Sequence, residues 1–250
     1  MTANRPIELT SDTATKPGAA MRRAMAEAEV GDEQRGEDPT TNRLQEMVAA
    51  LLGKEAAVFL PSGAMCNQIA ICVHCRPGDE VAAADGSHIF TSEAGGAAVL
   101  AGAQTWPIPS TRGIFSAADL RRNLRQPSRH TPRTALVVVE QTNNRGGGAV
   151  WPLAAIEDVA AEARKAGAAV HMDGARILNA QVASGVYAKV FAAPCDSVWL
   201  DLSKGLGCPV GGVLAGSKAF IQEAWRWKQR MGGSMRQAGV IAAAGIHALD

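Results

Sequence analysis

The sequence has little net charge and lacks long apolar runs. Its 25 basic and 24 acidic side chains give a formal net charge of +1 over 250 residues. Such a chain lacks the basic excess that is typical of proteins that bind nucleic acids or anionic membrane surfaces. No apolar stretch approaches the ~18 residues of a transmembrane helix, and the N-terminus MTANRPIELTSD has no apolar secretory core. We therefore expect a cytoplasmic protein with neither nucleic acid nor membrane as its partner.

Cysteine is also sparse, with five residues in the whole chain. Cys72 and Cys75 form the pair CVHC, a spacing that occurs in zinc and redox sites. The pair lies in the apolar stretch IAICVHC, and no second CxxC occurs in the sequence. Because free cysteine packs as a small hydrophobic residue, buried thiols are the simpler interpretation, and we predict no metal site.

Short apolar runs alternate with segments of helical spacing along most of the chain. The strand-like runs are AAVFL (56–60), EVAAAD (80–85), ALVVVE (135–140), AAVHMD (168–173), SVWLDL (197–202) and GGVLAG (211–216). The helical segments are AAMRRAMAEAEV (19–30), TTNRLQEMVAALLG (40–53), MCNQIAICVHC (65–75) and LAAIEDVAAEARKAG (153–167). Continuously apolar strands alternating with helices predict an α/β fold whose mostly parallel sheet is covered on both faces. Thr40 or Thr41 is the expected N-cap of the second helix, and Gly53 its end.

Polar residues follow the ends of four of these strands. Ser62-Gly63 follows the first, while Glu140 and Asp173 end two of the others. Lys204 comes two residues after the end of SVWLDL and is followed by glycine. Ligands of such sheets bind beyond the carboxyl ends of the strands, so we expect these residues to meet at one edge.

Three of these positions suggest chemistry, and each has a plainer alternative. Ser62-Gly63 opens a helix whose free N–H groups and dipole suit a phosphate, although Ser-Gly turns also occur for steric reasons. Asp173 suits either a protonated pyridine nitrogen or a local ion pair with Arg176. Lys204 is either solvated by its loop or a desolvated amine that attacks carbonyl groups. A phosphate cradle, an acid and a lysine are together the set that pyridoxal 5′-phosphate requires.

Six segments resemble one known family, in order from Glu8 to the last residue. They are ELTSDTATKP, GEDPTTNRLQEMVAALLGKEAAVFLPSGAMCNQ, SHIFTSEAGGAAVLAG, HMDGARILNA, LSKGLGCPVGGVLAGS and GGSMRQAGVIAAAGIHAL. The chain thereby resembles the threonine aldolases, pyridoxal-phosphate lyases of fold type I. The resemblance implies an N-terminal arm and helix over residues 1–30 and a large cofactor-binding domain with a seven-stranded-type sheet over residues 31–250. Members of the family continue into a small C-terminal domain, which we expect to be absent from this chain because it stops at Asp250.

The resemblance also implies roles for individual residues around the cofactor ring. Lys204 would form the Schiff base with the cofactor, and Asp173 would pair with the pyridinium nitrogen. Arg176 would contact the phenolic oxygen of the cofactor or the carboxylate of the substrate. His88 would stack on the ring and could also act as the base; its plainer alternative is a polar loop residue.

Further implied roles concern the phosphate and the substrate. Ser62, Gly63 and Ala64 would hold the phosphate, and Ser11 would touch the carboxylate of the substrate. Arg236, in GGSMRQ, would reach the phosphate of a neighbouring subunit. This last role implies a homo-oligomer, a dimer or a tetramer, whose sites are shared between subunits.

Two departures from the family lie near the expected substrate. EQTNN stands where the family usually has ENTH, so Asn143 replaces a histidine. Asparagine can hydrogen-bond a hydroxyl group but cannot take its proton at neutral pH. RGEDP stands where the family often has YGDDP, which places Arg35 near the site. Together with the small polar Thr91 and Ser92, Arg35 favours a larger or acidic β-substituent.

The sequence therefore predicts a pyridoxal-phosphate-dependent aldolase that cleaves β-hydroxy-α-amino acids to glycine and an aldehyde. L-Threonine, L-allo-threonine and phenylserine are the candidate substrates. The same cofactor could instead support β-elimination or racemisation of a β-substituted amino acid. A truncated, non-catalytic subunit is the alternative from another class. Retention of Lys204, Asp173, Arg176 and His88 argues against it, because a scaffold has no need of that set.

Overall fold

A computed structural model describes residues 7–250, in which seven strands form one sheet. The strands are β1 (Ala56–Leu60), β2 (Glu80–Ala84), β3 (Gln104–Ile108), β4 (Thr134–Glu140), β5 (Ala169–Gly174), β6 (Ser197–Asp201) and β7 (Gly212–Gly216). Their order is β1-β7-β6-β5-β4-β2-β3. All neighbouring pairs from β3 to β6 are parallel, and β7 is antiparallel to β6 and β1. The predicted mostly parallel α/β sheet is confirmed.

The sequence analysis missed β3, which lies at the edge of the sheet. Most of its residues are exposed, so the segment QTWPI lacks the continuous apolar run that marks the other strands. Pro107 within it has no N–H group, which only an edge strand or a bulge tolerates.

Within residues 7–250, eleven helices and two 3₁₀ turns, Asp12–Ala14 and Glu33–Arg35, connect or cover the strands. The helices are α1 (Ala19–Ala26), α2 (Pro39–Leu52), α3 (Gly63–His74), α4 (His88–Thr91), α5 (Gly96–Ala101), α6 (Ala117–Asn123), α7 (Leu153–Lys165), α8 (Ile177–Ser184), α9 (Ala188–Ala192), α10 (Lys218–Arg230) and α11 (Gly239–Leu249). None of these helices has both the length and the apolar character needed to cross a bilayer. Helix α1 packs against α11, and the boundary predicted at residue 30 stays a prediction.

The N-cap predicted for α2 is wrong. Asp38, not Thr40 or Thr41, caps the helix, because its Oδ1 accepts a hydrogen bond of 2.8 Å from the Thr41 backbone N–H. Pro39 then takes the first helical position, where its missing N–H costs nothing. The predicted end at Gly53 is confirmed, since this residue adopts a left-handed conformation with φ of 63°.

The sheet is buried on both faces, as its apolar strands predict. Alternate side chains of β4 enter different cores, as expected for a strand. Val137 and Val139 belong to the cluster that includes residues of α7, and Leu136 and Val138 to the cluster that includes residues of α3 and α5. These layers leave the carboxyl ends of β4, β5 and β6 side by side.

The interpretation of CVHC as a pair of buried thiols is confirmed. Cys72 and Cys75 both lie in the core between α3 and the sheet. Burial raises the pKa of the Cys72 thiol to about 11 and that of the Cys75 thiol to about 12. Both groups are therefore protonated near neutral pH and act as small apolar side chains.

Candidate active site

The predicted strand ends meet at one cavity. Glu140 and Asp173 lie opposite each other in the register of β4 and β5. The cavity beyond them is lined by Gly63, Ala64, His88, Glu140, Asp173, Ala175, Arg176, Trp199, Asp201 and Lys204. The structure thus brings together six of the predicted site residues, namely Lys204, Asp173, Arg176, His88, Gly63 and Ala64.

A wider opening adjoins this cavity and includes Ser11. Its lining is Thr10, Ser11, Asp12, Thr13, His88, Asn144, Arg176 and Lys204. Ser11 Oγ accepts a hydrogen bond of 3.2 Å from the Thr13 backbone N–H and so caps the 3₁₀ turn. The N-terminal segment therefore forms part of the site.

The first turn of α3 offers free backbone N–H groups to the cavity. Ser62 is the N-cap: its Oγ accepts from the Met65 N–H at 3.2 Å, and its carbonyl oxygen accepts from the Cys66 N–H at 3.2 Å. The N–H groups of Gly63 and Ala64 have no partner in the described part of the chain, as is usual at the start of a helix. A Cβ at position 63 would overlap the indole ring of Trp199, so glycine is required there.

Asp173 is buried and has uncharged hydrogen-bond donors for partners. Its Oδ2 accepts from Asn67 Nδ2 at 2.9 Å, and its Oδ1 from the Ala175 N–H at 3.1 Å. Burial raises the pKa of Asp173 above its ordinary value. The alternative of a local ion pair with Arg176 is wrong, because that guanidinium group binds Asp12 instead.

Arg176 and Asp12 form a two-point ion pair at the mouth of the cavity. Arg176 Nε lies 2.6 Å from Asp12 Oδ2, and Nη2 lies 2.9 Å from Oδ1. The hydrogen bond from Arg176 lowers the pKa of Asp12. Arg176 Nη1 has no hydrogen-bond partner within residues 7–250, and the side chain lines both the cavity and its opening. The sequence analysis missed Asp12, although it stands next to Ser11 in LTSDT.

Lys204 is largely enclosed, with 17% of its side chain exposed, and is not simply solvated by its loop. Its Nζ donates to Asp201 Oδ2 at 2.7 Å and lies 5.4 Å from the ring centroid of Trp199. Thr15 Oγ1 donates to the Lys204 carbonyl oxygen at 2.7 Å, so the N-terminal segment also holds this loop. The strand carries the lysine to the site rather than to the solvent.

His88 is held by Glu93, a residue that the sequence analysis missed although it begins the motif EAGG. His88 Nδ1 lies 2.8 Å from Glu93 Oε1, and this hydrogen bond raises the pKa of His88. The carboxylate therefore accepts the Nδ1 proton, and in the neutral ring Nε2 is the nitrogen able to take a proton.

Donor atoms of His88, Glu93 and Asp173 also lie within 4.8 Å of one another, a spacing that a metal ion could use. Asn67 Nδ2 donates to Glu93 Oε1 at 2.7 Å and to Asp173 Oδ2 at 2.9 Å. An amide donor thus stands between the two carboxylates, where a cation would have to bind. The cluster fits a hydrogen-bond network better than a metal centre.

Glu140 is a further titratable group of the cavity, and no site role had been predicted for it. Its Oε2 accepts from the His88 backbone N–H at 3.0 Å, and its Oε1 from the Asn144 N–H at 2.8 Å. Burial and the nearby charge of Asp173 raise the pKa of Glu140 to about 7. This carboxyl group can therefore exchange a proton near neutral pH.

We expect Glu140 to reduce the free energy of unfolding of the apoprotein as the pH rises from about 4.5 to about 7. Over this range folded Glu140 retains a proton that the unfolded chain has released, since its ordinary pKa is 4.5. The loss amounts to about 3 kcal/mol at a pKa difference of about 2.5 units. Urea unfolding of the wild type and Glu140→Gln at several pH values measures it.

The two proteins are compared by the slope of their free energy of unfolding against pH. His88 and Asp173 have raised pKa values and act in the same direction, whereas burial lowers the pKa values of His74 and His171 to about 4 and about 3, which acts in the opposite direction. The contribution of Glu140 is therefore the difference in slope between the wild type and Glu140→Gln. Equal slopes in the two proteins would contradict the assignment of this proton to Glu140.

Besides Ser62 and Ser11, three predicted site residues do not line the cavity. Asn143 is fully buried, and its Oδ1 accepts from the Gly146 N–H at 2.7 Å. Arg35 and Arg236 have mostly exposed side chains that lie 3.9 and 2.8 Å from Asp32 Oδ2. Their predicted roles stay predictions, and those of the two arginines require a surface beyond the cavity of their own chain.

Comparisons with known proteins agree with this geometry. A family model described as beta-eliminating lyase matches residues 8–250. The low specificity L-threonine aldolase of Escherichia coli strain K12 is 44% identical over 244 residues, which are 97% of this chain and 72% of that enzyme. Low-specificity L-threonine aldolase 1 of Arabidopsis thaliana is 41% identical over 250 residues, covering 98% of this chain and 70% of its own length.

Solved structures share the fold. That of Leishmania major threonine aldolase has a TM-score of 0.84 at 22% identity, over 96% of this chain and 71% of the other. A serine palmitoyltransferase of Sphingomonas wittichii has a TM-score of 0.69 at 21% identity, over 92% of this chain and 56% of the other. The family resemblance carried by the six sequence segments is confirmed over nearly the whole chain.

Proposed function

The chain belongs to the beta-eliminating lyase family, and we propose that it is a pyridoxal-phosphate-dependent aldehyde-lyase that cleaves β-hydroxy-α-amino acids to glycine and an aldehyde. The observation that carries the proposal is the meeting of Lys204, Asp173 and Arg176 with the start of α3 in one cavity. Relatives named low-specificity L-threonine aldolases support L-threonine and L-allo-threonine as the first substrates to test.

The residues of the cavity fit pyridoxal phosphate. The free N–H groups of Gly63 and Ala64 suit its phosphate, and the buried carboxylate of Asp173 suits a protonated ring nitrogen. The Lys204 amine suits its aldehyde group. When bound, the cofactor supplies an electron sink for the electron pair that is released when the Cα–Cβ bond breaks.

The chain's own residues orient the substrate and move its proton. Arg176 Nη1, at the mouth, is placed to bind the substrate carboxylate. His88 Nε2 takes the proton of the β-hydroxyl group, because Nδ1 is held by Glu93. Glu140 is the second group that can hold a proton near neutral pH. Buried Asn143 does not move the proton, since an amide cannot take one at neutral pH; its Oδ1 accepts from the Gly146 N–H.

The finer parts of the proposal are a cytoplasmic location and a homo-oligomer with shared sites. Five free, buried cysteines suit a reducing compartment. Arg35 and Arg236 lie together on an exposed surface, where a second copy could receive Arg236 at its phosphate site. A purely monomeric holoenzyme in analytical ultracentrifugation would refute the shared site.

We expect the holoenzyme to release acetaldehyde and glycine in equal amounts from L-threonine or L-allo-threonine, and benzaldehyde from phenylserine. Product analysis of each reaction tests this result. A keto acid with ammonia would indicate β-elimination instead, and epimerised substrate alone would indicate racemisation. No product from any of these substrates would contradict the proposal.

β-Hydroxyaspartate, assayed beside these substrates, tests the preference for an acidic β-substituent. Turnover of β-hydroxyaspartate equal to or poorer than that of threonine and phenylserine would contradict this preference.

A further inference from the structure

A chain of buried hydrogen bonds leads from the cavity into the interior, and the reaction described above makes no use of it. It runs from Asp173 through Asn67, His171 and Ser197 to His74, with successive distances of 2.9, 3.2, 2.8 and 2.9 Å. Asn67, His171 and Ser197 are fully buried. We propose that Asn67, whose Oδ1 is also held by His171, is a positioning residue that holds Asp173 and Glu93 for the cofactor ring. This inference rests on the proposed function.

The orientation of the Asn67 amide is determined by three of its four partners. The Nδ2 group faces two carboxyl oxygens and donates to both, Glu93 Oε1 at 2.7 Å and Asp173 Oδ2 at 2.9 Å. The indole N–H of Trp199 only donates, so Oδ1 faces Trp199 Nε1 at 2.8 Å. Trp199 and the two carboxyl groups are therefore satisfied by the same orientation of the amide.

This orientation also determines the state of His171. Asn67 Oδ1 accepts only, so the His171 proton lies on Nε2, and Nδ1 is an acceptor. Ser197 Oγ then donates to Nδ1 and accepts from His74 Nε2, which leaves no two donors facing each other. Burial lowers the pKa of His171 to about 3, so the ring is neutral at neutral pH.

The amide connects two groups that the cofactor needs in fixed places. Asn67 Nδ2 restrains Asp173 Oδ2, while the Ala175 N–H restrains Oδ1. Glu93 Oε1 is shared between Asn67 and His88 Nδ1, so the same amide helps to hold the histidine. An inverted amide would place its oxygen against both carboxylates and lose both donors, which is costly for buried groups.

A matched pair of variants tests the role of His171 through cofactor affinity rather than turnover. His171→Gln keeps an N–H donor near the position of Nε2, and His171→Leu removes it. We expect His171→Leu to bind pyridoxal 5′-phosphate about ten-fold or more weakly than the wild type, and His171→Gln within about three-fold. Asn67→Asp, which replaces the donor by a third carboxylate, is expected to weaken binding at least as much as His171→Leu. Equal affinities of folded His171→Leu and His171→Gln would overturn the inference.

The tautomer of His171 provides a test that needs no cofactor. ¹⁵N NMR of the labelled wild-type apoprotein at about pH 7 is expected to show His171 as the neutral Nε2–H form, assigned through correlations of the ring with its own backbone. An Nδ1–H or doubly protonated ring would overturn the hydrogen-bond direction even if the variants failed to fold. Failure of the wild type to bind pyridoxal phosphate, with the expected tautomer present, would instead refute the proposed function and with it the positioning role.

Discussion

Lys204→Ala is expected to abolish aldehyde formation from every β-hydroxy-α-amino acid, lowering kcat by about a thousand-fold or more. The lysine is the primary amine of the cavity, and its Nζ is held by Asp201 at 2.7 Å. Without this amine, no side chain of the cavity can bind the cofactor aldehyde covalently and be displaced by the amine of the substrate. Aldehyde release under saturating pyridoxal phosphate measures the effect.

Two further variants separate the amine from the charge. Lys204→Arg keeps a cation beside Asp201 but offers no amine nucleophile, so its activity should fall as far as that of Lys204→Ala. Lys218→Ala removes an exposed lysine at the start of α10 and should leave activity unchanged. Turnover by Lys204→Arg near that of the wild type would show that only the positive charge matters.

Lys228→Met is expected to lower the free energy of unfolding by about 3–5 kcal/mol. Lys228 forms a buried ion pair with Glu33 and donates to the Phe59 carbonyl oxygen at 2.8 Å. Glu33 Oε2 also accepts from the Met235 N–H at 2.8 Å. The substitution leaves a carboxylate buried without its counter-charge. Urea unfolding at neutral pH measures the change in the free energy of unfolding.

An exposed ion pair on the same helix provides the control. Arg226 lies 3.0 Å from Glu223, and both side chains are largely exposed. Arg226→Met should therefore cost no more than about 1 kcal/mol. Glu33→Leu combined with Lys228→Met should cost less than the sum of the single changes, because the double variant leaves no unpaired charge. A loss for Lys228→Met no larger than that for Arg226→Met would contradict the argument from burial.

The position of the Lys228 pair explains why a group outside the cavity bears on function. Phe59 stands three residues before Ser62, the N-cap of α3. The lysine therefore holds the end of β1 from which the proposed phosphate turn begins. Nothing in the local sequence WRWKQR predicts this, because Glu33 is 195 residues away along the chain.

Local pattern is enough to predict the sheet and the edge at which the site lies. Continuously apolar runs mark strands buried on both faces, and parallel strands place their carboxyl ends together. Asp173 and Lys204 can therefore be assigned to one edge of the sheet from their positions along the chain. Local pattern fails where a strand is exposed, as in β3. It also fails at the start of α2, where Asp38 is the N-cap instead of the nearby threonines.

The sequence by itself determined the fold class and the family, because apolar runs and motifs consist of neighbours along the chain, and it suggested most of the residues proposed for the chemistry. Only the tertiary structure decided which partners hold them. Arg176 pairs with Asp12 across 164 positions, and Asn67 joins Asp173 across 106. The pKa of Glu140 and the tautomer of His171 depend in the same way on burial and on distant partners. No spacing rule reaches such partners, since their proximity is produced by the packing of the whole sheet and its helices.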